Sequence, residues 1–214
     1  MNLIINKIQY DAIVVGSGIS GGWAAKELCE AGLKTLVLER GRMVKHIEDY
    51  PTMHNDPWDL PHSSRTPNEI IDKHYLKQKR WGFDENNRHF YNKDSDHDYD
   101  EVNPFDWIRG KQVVGRSLIW GRQTYRWSDL DFEANARDGY GVDWPIRYKD
   151  IAPWYSHVEK FIGVSGEALN LFQLPDSEFL PPMEMNCLEE HVKKILSENY
   201  NERILTIGRV AHIT

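Results

Sequence analysis

Residues 10–41 read YDAIVVGSGISGGWAAKELCEAGLKTLVLERG, and the fold follows from this stretch. Ala12, Ile13, Val14 and Val15 form the short continuous apolar run of a strand covered on both faces. The run stops at glycine. Gly16, Gly18 and Gly21 stand at G-x-G-x-x-G spacing, and each position meets its own demand. The first lets the chain turn sharply, the second removes a Cβ where a pyrophosphate must approach the backbone, and the third lets a helix sit close to the sheet. The spacing predicts a helix starting near Ser20, with its free N–H groups and positive dipole end aimed at that phosphate. Ser17, Ile19 and Ser20, which stand between the glycines, join them as candidate binding positions.

Along that helix Ala24, Ala25, Leu28 and Ala31 recur at helical spacing, while Lys26, Glu27 and Glu30 face water. Gly32 is a natural C-terminal stop. Thr35, Leu36, Val37 and Leu38 make a second, parallel strand, and Glu39 arrives at its end. An acid about 20 residues past the glycines accepts hydrogen bonds from adenosine ribose hydroxyls and repels a 2′-phosphate, which argues against NADP. The bland alternative is a tight βα turn that binds nothing. A glycine triplet set between a strand and a helix, and followed by a strand ending in an acid, favours an adenine dinucleotide. These residues alone leave NAD and FAD both open.

At 214 residues, with 40% hydrophobic and 28% charged, the chain reads as one large domain or two small ones, long enough to bury a core. A formal net charge of −7 gives no basic footprint for nucleic acid and disfavours anionic membrane. No run is long enough to span a bilayer, and the opening MNLIINKIQY lacks the features of a signal peptide. Cytoplasmic residence is the default expectation, with export beside a signal-bearing partner left open. The two cysteines, Cys29 and Cys187, read as ordinary reduced thiols.

From residue 42 to about 106 the periodicity nearly vanishes. Pro51, Pro57, Pro61 and Pro67 exclude a long helix, yet Trp58, Tyr75, Trp81, Phe83, Phe90 and Tyr91 make the segment too aromatic for a disordered linker. It reads as an ordered excursion of the lid or binding-loop kind. Six histidines fall here, His46, His54, His62, His74, His89 and His97, but none has metal-motif spacing, so no metal is expected. The acidic run Asp94, Asp96, Asp98, Asp100, Glu101 fails as a calcium loop. Phe105 stands where a bidentate Glu belongs and Tyr99 where the sharp turn needs Gly.

Residues 110–133 read GKQVVGRSLIWGRQTYRWSDLDFE. Val113 and Val114 lead into Gly115, and Leu118, Ile119 and Trp120 lead into Gly121. Two glycines beside apolar strands suggest a backbone passing close to something flat or charged. A β-bulge followed by a bend is the plainer reading of the same residues.

The two stretches together resemble the FAD-dependent glucose-methanol-choline (GMC) oxidoreductases. VVGSGISGGWAAKELCEAGLKTLVLERG looks like the opening of that family, including its Glu39, Arg40, Gly41 ending. The second stretch is similar to its second flavin-binding signature, closest to the G-G-R-S/T-L-x-W-G pattern of the sugar-oxidising branch. Gly115, Arg116, Ser117, Leu118, Trp120 and Gly121 match, and Val114 departs from the usual first glycine, where a Cβ crowds the phosphate or moves the loop. The resemblance implies FAD, held noncovalently, since no Thr-His-Trp stands in RQTYRW for a histidyl-flavin bond. It adds Arg40, Gly41, Val114, Gly115, Ser117, Trp120 and Gly121 to the cofactor-binding candidates.

Trp127, Ser128, Asp129, Leu130, Asp131 and Phe132 are again like that branch, particularly its glucoside 3-dehydrogenase members, and otherwise read as a turn and a capped helix start. Asp150 is expected to cap a helix with Pro153 in its first turn. Ile151, Trp154, Tyr155, Val158, Phe161 and Ile162 form its apolar stripe, His157 lies on its polar side, and Gly163 ends it. Residues 174–185 form a proline-bounded loop. A second amphipathic helix carries Leu188, Val192, Ile195 and Leu196, and residues 203–210 read as a strand. In the GMC fold such a late strand returns to the nucleotide domain, where a backbone Val meets adenine, so Val210 is carried over as a further candidate.

The expected fold class is α/β: a Rossmann-like FAD-binding βαβ domain with long loop excursions and part of an α+β substrate domain. The expected divisions are a βαβ unit at 1–42, an excursion at 43–111, a second flavin-contacting and helical segment at 112–202, and a returning strand at 203–214. The resemblance covers the N-terminal portion of the family. Its catalytic His/Asn pair is therefore expected beyond Thr214, and no catalytic residue is assigned. The implied function is hydride transfer from a CH–OH group of a sugar, glycoside or sugar acid to flavin N5, with a small-molecule substrate, an electron acceptor of unspecified kind and a small partner subunit left open. The alternatives are an FAD monooxygenase or NAD-linked dehydrogenase with the same first motif, or a flavin-binding fragment without catalysis.

Overall fold

The computed structural model of the chain describes residues 8–79, 82–96 and 99–212. It mixes helices and strands, and the chain divides into two compact units, Met1–Gly121 and Arg122–Thr214.

The first unit opens with the β-α-β element. Strand β1, Ala12–Val15, pairs in parallel with β2, Thr35–Leu38, in the register Ala12↔Thr35 to Val15↔Leu38, and helix α1, Ile19–Glu30, connects them. Helix α1 stops because Gly32 turns left-handed at φ +85°. The N–H of Gly32 then reaches the carbonyl of Cys29 and that of Leu33 the carbonyl of Leu28, the paired bonds of a Schellman motif. The helix covers one face of β1, where Gly21 lies against Val14. The other face departs from the two-sided burial predicted for this run. Ile13 is 63% and Val15 82% exposed, because among the described residues the sheet has two strands and one covering helix.

Residues 43–111 hold a short helix α2, Asn68–His74, several 3-10 turns and an aromatic cluster. Tyr75 packs on Phe83, Phe83 edge-on against Tyr91, and Phe90 against Tyr50 and His89. Gln78, wholly buried, does the work of a missing strand. Its Nε2 donates to Asp94 at 2.9 Å and to the Trp107 carbonyl at 3.0 Å, and its Oε1 accepts from the Arg109 N–H at 3.0 Å. A buried amide with three of its four hydrogen-bonding positions filled holds an irregular segment that lacks a ladder. Trp81, His97 and Asp98 lie outside the described residues.

In the second unit, α3, Asp129–Phe132, begins with a capping box in which Ser128 accepts from Leu130 N and Asp131 accepts from Ser128 N. Helix α4, Ala134–Asp138, ends at left-handed Gly139. Helix α5, Tyr148–Ile162, starts two residues before the expected cap. Asp150 sits one turn in and accepts from Arg147 N at 2.8 Å, so Pro153 lies inside the helix rather than in its first turn. Strands β3, Val164–Ser165, and β4, Phe179–Leu180, pair in parallel. Helix α6, Cys187–Asn199, is capped by Asn186, with Glu189 reaching back to the Asn186 N–H. Its predicted apolar stripe is largely open, Leu188 being 67% exposed.

Two buried guanidinium groups organise this unit. Arg126 grips Glu159 through Nε at 2.9 Å and Nη2 at 2.6 Å, and also bonds Tyr148 and Ser156. Arg209 donates to Asp176 and to the carbonyls of Leu174, Pro175 and Glu167, with its guanidinium over the Phe179 ring. Burial works against the Asp176 carboxylate, but the N–H groups of Leu169 and Asn170, together with Arg209, hold its pKa below the usual carboxylate value. Residues 203–210 form no regular strand. Val210 makes single bridges to Gln123 and Ser165, because Ser165 takes both its N–H and its C=O.

Candidate functional site

The glycine turn follows from the local sequence. Gly16 stands at φ +93° and its N–H bonds the Leu38 carbonyl at 2.7 Å, closing the turn against β2. A Cβ at Gly21 would run into the Gly16 carbonyl, which is the close helix–strand approach predicted for the third glycine. Gly18 caps α1 from an extended conformation, with no side-chain hydrogen bond to the helix end and open space where its Cβ would stand. The start of α1 is thus a bare turn of backbone with a dipole end facing outward. Ile19 and Ser20, the first residues of that helix, are both exposed.

Glu39, at the end of β2, is turned back onto this turn. Its Oε2 accepts from the Ser17 N–H at 2.8 Å and the Ser17 hydroxyl at 2.7 Å, and its Oε1 accepts from the Gly41 N–H at 2.7 Å. These donors, the Ser17 hydroxyl foremost, then the Ser17 and Gly41 N–H groups, pull its pKa down to about 2. The group is a carboxylate at any physiological pH. Arg40 beside it is exposed.

The second predicted stretch meets the first at Ser17. The Val114 N–H donates to the Ser17 hydroxyl at 3.0 Å across 97 positions of sequence. Gly41 allows a second crossing, since a Cβ there would collide with the Lys111 carbonyl, and the Val113 N–H bonds the Arg42 carbonyl at 2.9 Å. Val114 is left-handed at φ +73°, ψ −13°. That is the conformation for which glycine is suited and a β-branched residue is not. Gly115 follows at φ +59°, with its missing Cβ 3.7 Å from the Gly18 Cα. In place of the predicted strand and bulge, Gly115–Ile119 is a 3-10 turn, because two successive left-handed residues cannot continue a ladder.

Between these walls lies a cleft of about 500 Å³. Gly18 and Ile19 border one side and Arg116, Ser117, Ile119 and Trp120 another. Tyr91 and Ile108 complete it from the excursion; they had no motif to mark them, and the aromatic content of their segment was the available signal. Burial and then the nearby Asp84 carboxylate push the Tyr91 phenol up, so it stays neutral. Lys111 is held below the usual lysine value by burial and by Arg40 and Arg109. Gly121 ends this unit with open space around it. Val210 is in the second unit, and its backbone bonds are those to Ser165.

Among the described residues no group of three His, Cys, Asp or Glu side chains is arranged to hold a metal ion, and no helix is long and apolar enough to cross a membrane.

No family model matches the chain. It is similar to 2-methyl-1,2-propanediol dehydrogenase of Mycolicibacterium austroafricanum, 28% identical over 74% of this chain and 25% of the relative. The gluconate 2-dehydrogenase flavoprotein of Pantoea cypripedii is 27% identical over 75% of this chain and 26% of its own length. The fructose dehydrogenase large subunit of Gluconobacter japonicus is 26% identical over 74% and 28%. Several of the proteins that the chain is similar to, these among them, are GMC-type oxidoreductases. The resemblance read from the two motifs is thereby borne out, and with it the relation to dehydrogenases and oxidases. The chain spans about a quarter of the length of these relatives.

Proposed function

We propose that this chain is the N-terminal portion of an FAD-dependent oxidoreductase that acts on a CH–OH group of a sugar, glycoside or sugar acid. One observation carries the reading. Two stretches with the character of flavin-binding motifs, far apart in sequence, meet at one hydroxyl, that of Ser17, beside an ionised Glu39.

The residues fit the adenosine diphosphate part of FAD. Open space over Gly16 and Gly18 admits a diphosphate, the uncapped start of α1 offers it N–H groups, and Glu39 presents an ionised carboxylate at the end of β2 for a ribose hydroxyl. Ser17, Ile19, Ser20, Gly21, Arg40 and Gly41 belong to this Rossmann-like half. Val114, Gly115, Ser117, Trp120 and Gly121 are proposed to follow the diphosphate and the ring system. The assignment of Val210 to adenine rests on the resemblance alone. When bound, the flavin supplies a hydride acceptor, and the substrate is an alcohol or sugar by the relatives' names. The bare face of β1, with Ile13 and Val15, is the surface that the rest of a longer flavin domain would cover.

Catalytic acid–base residues are proposed to lie outside these 214 residues, so the chain alone is expected to bind FAD and turn over little or no substrate. The test is titration of the purified protein with FAD and, separately, with NAD, followed by absorbance and fluorescence. A yellow protein retaining FAD after desalting supports the reading. Retention of NAD and not FAD defeats it, as does NADPH-dependent oxygen insertion. Reconstitution with a C-terminal complement is expected to restore dye-linked alcohol oxidation, and a complex that forms without oxidation would favour a binding fragment.

A further inference from the structure

The hydroxyl of Ser17 bonds two segments distant from its own, and nothing in the glycine motif requires a side chain there. A hydroxyl has one proton to donate and two lone pairs. The proton goes to Glu39 Oε2 at 2.7 Å and one lone pair takes the Val114 N–H at 3.0 Å. Ser17 itself sits in the turn between Gly16 and Gly18, so one side chain ties the phosphate turn, the acid at the end of β2 and the start of the second loop.

We propose that Ser17 is a positioning residue, which sets Glu39 for the adenosine ribose and holds the loop at Val114 over the glycine turn. The proposal rests on the dinucleotide reading above and deepens it. Without the hydroxyl, Glu39 keeps backbone donors alone, the N–H groups of Ser17, Gly41 and, least, Arg40, and loses its one side-chain anchor. Val114 loses the bond that repays its left-handed backbone, and the second loop is released from the first. Two donors sit on Oε2 and one on Oε1, so the Ser17 hydroxyl and the Gly41 N–H hold opposite oxygens of the carboxylate.

The experiment uses the full protein, with Ser17→Ala and Ser17→Thr compared to wild type. FAD and ADP affinities are measured by fluorescence titration and competition, and the pH at which FAD is released is followed on acidification. Ser17→Ala is expected to weaken FAD and ADP by the same factor, about tenfold, and to release FAD at a higher pH, while Ser17→Thr restores both. Unchanged or tighter binding by Ser17→Ala, with an unchanged release pH, overturns the proposal. A readout free of ligand separates this inference from the dinucleotide reading: the carboxyl carbon of Glu39, titrated by NMR. Its pKa is expected to climb from about 2 toward the ordinary glutamate value in Ser17→Ala and to stay low in Ser17→Thr. A titration that does not move rejects the Ser17 bridge. A wild-type protein that binds neither FAD nor ADP, yet shows that shift, rejects the proposed function and keeps the bridge.

Discussion

Glu39 and Glu159 are both carboxylates that hold distant segments together, and they do so in opposite ways. Glu159 is 2% exposed and locked into a two-point grip by Arg126, with the Glu178 N–H as a further donor. Among the described residues no guanidinium bonds Glu39. The N–H groups of Ser17, Gly41 and Arg40 and the Ser17 hydroxyl stabilise its charge. A buried ion pair has its charge cancelled inside the protein, whereas a carboxylate held by neutral donors keeps a net charge for a ligand. The second unit uses its acid as a bolt, and the first holds its acid ready.

The largest test of this contrast is Arg126→Ala, which strands Glu159 without its cation and is expected to lower stability by about 3–5 kcal/mol in urea unfolding. Replacing both partners, as in Arg126→Met with Glu159→Leu, is expected to recover most of that loss. If the double variant is no better than the single, the pair is more than a bolt. Gly21→Val comes next. Its side chain has no room against the Gly16 carbonyl, and a loss of about 3 kcal/mol is expected, together with FAD binding.

Glu39→Gln is expected to cost about 1–2 kcal/mol at neutral pH, with a pH dependence of its own. The folded-state pKa of Glu39 lies below its ordinary 4.5, at about 2. Its contribution is therefore complete above pH 4.5 and fades as pH falls toward 2. The gap in urea midpoint between wild type and Glu39→Gln is expected to close over that window, and a gap that persists at pH 2 would contradict the hydrogen-bond geometry. Val114→Gly has the smallest expected effect and the opposite sign. Removing a β-branched side chain from a left-handed residue is expected to raise stability by about 1 kcal/mol, seen as a rise of about 2–4 °C in Tm. A fall would mean that the valine side chain contributes packing that outweighs its backbone strain.

The β-α-β element was legible from residues 10–41 because every signal in it is local. An apolar run, a glycine spacing, a helical stripe and a C-terminal glycine act over a few positions, and the strand, turn, helix and second strand stand where they were expected, while the burial of β1 on both faces, which depends on distant chain, was not met. The capping boxes at Ser128 and Asn186 are local for the same reason, since a side chain reaches the N–H groups two or three residues ahead. The start of α5 was misjudged because Asp150 suits either the cap or the first turn, and the choice falls to the bond it makes with Arg147.

The sequence by itself determined which segments turn, which are helical and which acid ends β2, because hydrogen bonding between near neighbours sets those outcomes. Only the tertiary structure decided that Ser17 would bridge Glu39 and Val114, that Val114 would be left-handed, that Gly41 would admit the Lys111 backbone, and that Val210 would pair with Ser165. Those are contacts between residues distant along the chain. No local pattern encodes them, since each depends on which backbone arrives opposite once the chain has closed.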